Sequence, residues 1–113
     1  MLDNVLRRKV EKAIVRNLVG ECIAAGFVPM EVDDGGDENV PTIDIESVIE
    51  AVFSVDESRV YFQPIGDRGH GKPKHGVFLV GGNGCDIISD WHCGNKDFND
   101  AVQRACDKEL EVK

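Results

Sequence analysis

From Asp3 to Ala25 apolar residues return at every fourth place: Leu6, Val10, Ile14, Leu18 and Cys22, with Val15, Val19 and Ile23 widening the stripe. That spacing predicts an amphipathic helix. Arg8, Lys12 and Arg16 form a basic row on another face. Asp3 can cap the first turn, and Gly26 can take the left-handed conformation that closes a helix. The next stretch, FVPMEV at 27–32, reads as a strand. Pro29 has no amide hydrogen to give to a ladder, so this strand is expected at an edge or to be irregular.

DDGGDEN at 33–39 reads as a loop, followed by a short extended piece at 40–43. Ile45, Val48, Ile49, Val52 and Phe53 then fall on one helical face, which predicts a helix over 44–54 capped by Asp44. RVYFQPI at 59–65 is β-branched and aromatic and reads as a strand, GDRGHGKPKHG at 66–76 as a long loop, and GVFLVG at 76–81 as a strand. Asn83-Gly84 between apolar runs signals a hairpin returning along 85–89. A two-residue turn there sets Val80 opposite Ile87 and Phe78 opposite Ser89. Ser89 and Asp90 can bond neighbouring amides and fix a turn into the last helix, with Trp91 as a lid on the core. That helix is expected over 97–112, with Phe98, Ala101, Val102, Ala105 and Val112 inward and Asn95 or Asp97 as cap. The pattern predicts a single α+β domain over 1–113: a small antiparallel sheet of three to five strands, with two or three helices packed on one face.

The 113 residues suit one domain with a core of its own, without disulfides or metal. No apolar run is long enough for a membrane helix, and the N-terminus lacks the apolar stretch of a secretory signal. These features point to a cytoplasmic protein whose four cysteines are reduced thiols. The net charge of −8 is unevenly placed. Residues 31–57 carry ten acids and no base, whereas 1–30 carry five bases and three acids. Such a surface disfavours nucleic acid and anionic membranes and favours basic partners.

Several residue types invite a chemical reading. His70, His75, Cys85, His92, Cys93 and Cys106 could in principle supply zinc, but they contain no closely spaced pair of the C-x2-C kind. Cys22 and Cys106 fall on apolar helix faces, where a thiol acts as a small hydrophobe. Cys93 beside Trp91 and His92 could be an activated thiol only with a histidine in bonding range. Asp86, Asp90 and the acids of 33–38 could hold magnesium, but they read as loop and cap residues. Loop 66–76 is basic and glycine-rich yet lacks the phosphate-loop signature. We therefore expect no catalytic residue, metal or cofactor. Asp33, Asp34, Asp37 and Glu38, with Arg68, His70, Lys72 and Lys74 in the basic loop, are the candidate partner contacts. Asn83, Gly84, Ser89, Asp90 and Trp91 are expected in structural turns and caps.

The strings AAGF at 24–27, the acidic glycine turn at 33–38, IESVIEAVFSVDE at 45–57 and GVFLVGGNGCDIISDW at 76–91 resemble a family of small uncharacterised phage and prophage proteins. Members of that family share a G-N-x-x-D-x-I-S-D-aromatic pattern. The chain departs from it at Trp91-His92-Cys93, where the family has tyrosine and then threonine or serine. That departure argues against His92 or Cys93 as a shared ligand or nucleophile, and loop 66–76 is also longer here. The resemblance, which carries no assigned activity, together with the lack of a catalytic constellation and the segregated acidic segment, leads us to expect a non-enzymatic phage or prophage accessory protein that acts in the host cytoplasm by binding another protein. Two alternatives come from other classes: an acidic nucleic-acid mimic or host-defence inhibitor, and a small metal- or thiol-dependent enzyme. Self-association stays open, through an edge strand near Pro29 or the apolar side of the first helix.

Overall fold

The structure is a computed structural model that describes residues 4–36, 38–42, 44–67, 75–81, 87–92 and 95–109. Helix α1 (Asn4–Ala24) leads into strand β1 (Phe27–Asp33) and short strand β2 (Val40–Pro41). Helix α2 (Ile45–Val52) is followed by β3 (Glu57–Pro64), a single 3-10 turn at Ile65–Asp67, β4 (His75–Val80), β5 (Ile88–His92) and helix α3 (Lys96–Glu109). The strands form one antiparallel sheet in the order β2-β1-β3-β4-β5. This is the expected α+β domain, with five strands in the sheet and three helices on one face among the described residues. Its radius of gyration of 13.2 Å is about what a single domain of this length has.

Alternation along the strands decides which face the helices cover. Val32, Val60, Phe62, Val77, Leu79 and Ile88 point one way and are buried. They meet Ile14, Leu18 and Cys22 of α1, Val48 and Val52 of α2, and Phe98 and Val102 of α3 in one core. Phe98 is fully buried, with ring centroids 5.3 Å from Phe27 and 5.5 Å from Phe62. Burying one such ring contributes about 1.5–3 kcal/mol.

Several boundaries and faces differ from expectation. In α1 the buried positions are Glu11, Ile14, Val15, Leu18, Val19 and Cys22, while Leu6 is 48% and Ile23 44% exposed. A repeat of four overshoots the helical turn by about 40° per step, so a stripe drawn from Leu6 to Cys22 drifts off the core-facing side. The true seam steps by three and four. β1 is not an edge strand. It lies between β2 and β3, and its register with β3 shifts between Pro29 and Glu31. The irregularity expected from Pro29 is this bulge, although β2 pairs only with Glu31 and Val32, so among the described residues no strand lies on the outer side of Pro29. β5 starts three residues later than the expected 85–89 strand and runs on through Ser89, Asp90 and Trp91. Those three residues therefore sit in a strand, not in a turn before α3. The cause is a second bulge. Val80 donates to Ile87 at 2.9 Å and Leu79 pairs with Ile88, the register a two-residue turn sets, but Phe78 then pairs with Asp90 instead of Ser89. Asn83 and Gly84, like Asp3 and Val112, lie outside the described residues.

The helix ends behave as their residues dictate. Gly26 closes α1 at φ +94°, a conformation that costs any other residue a clash. Asp44 accepts from the Ser47 amide at 2.8 Å, and the Ser47 hydroxyl accepts from the Asp44 amide at 3.1 Å, a capping box. Asn95, not Asp97, caps α3, accepting from the Phe98 amide at 3.1 Å. Arg8, from the basic row, donates to the Phe53 carbonyl at the end of α2, and Arg16 pairs with Glu46. The guanidinium of Arg8 and the ammonium of Lys12 also lie 5.3 and 5.8 Å from the Phe53 ring centroid. The basic row thus clamps α1 to α2 and serves the negative end of α2.

Candidate functional site

Among the described residues all three helices lie on one side of the sheet, and none covers its other face. Antiparallel pairing lines its residues up in ranks across the strands. Asp33 of β1, Arg59 of β3, Phe78 of β4 and Asp90 of β5 form one rank. Glu31, Tyr61 and Gly76 form the next. Phe78 and Tyr61 are half-buried and Arg59 is exposed. The Arg59 guanidinium lies 5.5 Å from the Phe78 ring centroid, within the range of about 6 Å for a cation–π contact.

Gly76 makes this arrangement fit. A Cβ there would come 3.1 Å from Arg59 Cδ and 3.2 Å from Tyr61 Cε1. Both side chains lie over the bare backbone, so a strand glycine that normally weakens packing is covered from above.

The acidic turn adjoins this face. Asp33 accepts from the Gly35 amide and Asp34 from the Gly36 amide, each at 3.0 Å. Gly35 sits at φ +89°, so the turn requires glycine there. The Asn39 side-chain amide donates to the Glu31 carboxylate and ties the far side of the turn to β1. Asp33 and Asp34 are therefore staples of a fixed turn as well as surface charges. A shallow cleft of about 270 Å³ opens between turn and sheet, lined by Asp33, Gly35, Glu57, Ser58, Arg59 and Phe78. Ser58 pairs with Leu79, so its side chain belongs to the helix side. It is 3% exposed, and its hydroxyl has no hydrogen-bond partner among the described residues.

The structure thus places Asp33 beside an aromatic and arginine surface, with Asp34 and the exposed Glu38 on the same turn. Asp37, Arg68, His70, Lys72 and Lys74 lie outside the described residues. Asp90 joins the open face, and its carboxylate accepts from the Trp91 amide at 2.8 Å. An edge amide held in that way is not offered to another strand. Trp91, opposite Val77, is half-buried against the core. The sequence reading missed Arg59, Tyr61, Gly76 and Phe78. Their signal was present in the alternation R-x-Y and G-x-F, but only the β3–β4 register brings the two pairs together.

The residues considered for metal or thiol chemistry separate. Among the described residues no group of three or more His, Cys, Asp or Glu side chains is close enough to hold a metal ion. The His75 ring packs 5.1 Å from both the Phe27 and the Phe98 centroids, on the core side of β4. Cys22 is fully buried, and burial, helped by the neighbouring Glu21 carboxylate and opposed by Arg104, pushes its thiol up to about 12. Such a thiol is not a nucleophile at neutral pH. Cys106 is half-buried beside the core. Cys85, Asp86 and Cys93 lie outside the described residues, as does the His92 side chain. No helix among the described residues is long and apolar enough to cross a membrane. A second cleft, of about 330 Å³, lies between α1 and the turn after α2 and is lined by Arg7, Arg8, Glu11, Phe53, Asp56 and Gly81 among others. Its arginine and aromatic walls include the α1–α2 clamp already described.

No protein-family model matches the sequence, and no curated protein or solved structure matches it at a significant level.

Proposed function

We propose that this chain is a non-enzymatic accessory protein of phage or prophage type that acts in the host cytoplasm by holding another protein against the open face of its sheet. One observation carries the binding surface: Tyr61, Phe78 and Arg59 stand together on the uncovered face, bordered by Asp33, Glu57 and Asp90. Tyrosine and arginine are the residue types that dominate protein interfaces, and an aromatic centre with a charged rim is the usual anatomy of one. The rim acids repel phosphate, so the same face disfavours nucleic acid. The phage setting is supported by the sequence resemblance over residues 24–91.

Affinity capture from a bacterial host lysate tests the reading, with Phe78→Ser and Tyr61→Ser compared against an exposed control away from this face, Ile65→Ser. Far-ultraviolet circular dichroism and melting temperature confirm that each variant folds. The proposal predicts a discrete protein that the wild type and the Ile65 variant retain and the two face variants lose. Retention by all four proteins, or no captured protein, would contradict it.

A further inference from the structure

We infer that the partner contacts this face with a lysine or arginine side chain, seated in the cleft between the acidic turn and Phe78. The inference rests on the protein-binding reading above and adds the chemistry of the contact.

Charge complementarity decides the occupant. Among the described residues the cleft wall carries two carboxylates, Asp33 and Glu57, against the single cation Arg59. Asp34 extends the negative field along the turn, and Asp90 extends it along the same rank as Phe78. An anionic or phosphate-bearing ligand is repelled by this set, and a basic polypeptide segment is attracted. Shape agrees with charge. About 270 Å³ holds a side chain and its neighbours, not a folded domain. The Phe78 ring already accepts one guanidinium at 5.5 Å, so its surroundings suit a cation. Arg59 is exposed and its stem runs over Gly76, where no side chain blocks it, so it can shift as a second cation arrives. Tyr61 in the adjacent rank offers an apolar surface for the residue beside the incoming cation.

Nitrogen-15 NMR titration of the full chain tests this. The probe is a short blocked peptide carrying arginine and leucine, and its control replaces arginine with neutral citrulline. The expected result is saturable amide shifts centred on Asp33, Gly35, Glu57 and Phe78 with the arginine peptide and none with citrulline. Replacing Asp33 by Asn and Glu57 by Gln together should weaken binding about fivefold or more, the scale of losing surface ion pairs. Making the same charge change at exposed positions elsewhere, Glu50→Gln with Asp107→Asn, should leave the affinity unchanged. Shifts scattered over all acidic residues, or equal weakening by the two double variants, would reduce the effect to general electrostatics and overturn the inference. If the arginine peptide leaves these amides unmoved while Phe78→Ser still abolishes capture of the partner, the cation contact is wrong and the binding surface stands.

Discussion

At the scale of single residues, the polar groups inside the core give the sharpest predictions. The Cys22 thiol has a folded value of about 12 against an ordinary 9.0. The unfolded chain therefore loses this proton first as pH rises. The stabilising effect is complete below pH 9 and is lost between about 9 and 12. Denaturation monitored from pH 8 to 11 should show falling stability, with a smaller fall in Cys22→Ala. At pH 7.5, mass-resolved alkylation should label Cys22 only when the chain unfolds. Rapid native labelling at that position would show that the thiol is exposed. Ser58 gives a second case. A buried hydroxyl without a partner costs about 1–3 kcal/mol, so Ser58→Ala should leave stability unchanged or raise it by about 1 kcal/mol in urea unfolding. A loss of more than about 1 kcal/mol would mean that the hydroxyl is bonded. The burial of Cys22 was legible from its place on an apolar helix face; that of Ser58 was not, because it depends on which neighbours the fold supplies.

At the scale of elements, caps and the acidic turn were legible, whereas the turn expected at Ser89 and Asp90 proved to be strand and the registers were legible only in part. Asp44, Gly26 and the acidic glycine turn act where their chemistry put them, because capping and left-handed backbone are local demands. Asp44→Ala should cost about 1 kcal/mol by removing the Asp44 half of the capping box, measured by chemical denaturation. The β4–β5 register held from the hairpin signal as far as Leu79 and Ile88 and then slipped at the Ser89 bulge. A bulge is settled by packing across strands, here by Trp91 reaching the core, and one sequence read along its length does not show it. For the same reason Gly76 looked like the end of a loop. It is the gap into which Arg59 and Tyr61 fold. Gly76→Ala should leave the melting temperature within a few degrees, since the exposed Arg59 can give way, yet it should disturb the face. NMR shifts at Arg59, Tyr61 and Phe78, together with weakened partner binding, are the expected readout. A fully unfolded variant would show that the contact is rigid.

At the scale of the whole molecule, the described residues form one core, with one sheet face that none of their helices covers. The order of elements was legible from hydrophobic periodicity, because each period fixes an element type regardless of its neighbours. The candidate site was legible only in its acidic half. Asp33 and Asp34 stood out as charges, but Tyr61 and Phe78 looked like ordinary strand residues until pairing placed them on the side without helices. The charge asymmetry also resolves in three dimensions. The basic row of α1 is spent on α2, through Arg8 and Phe53 and through Arg16 and Glu46, whereas the acids at the end of the sheet stay at the surface. The central claim is that this open face is where a protein partner sits. The most direct test is site-specific photo-cross-linking, with a benzophenone side chain at position 61 on the open face and at position 50 on the exposed side of α2. The account predicts one discrete cross-linked protein from position 61, suppressed by Phe78→Ser, and none from position 50. Cross-links from position 50 alone, or equal cross-links from both, would contradict it.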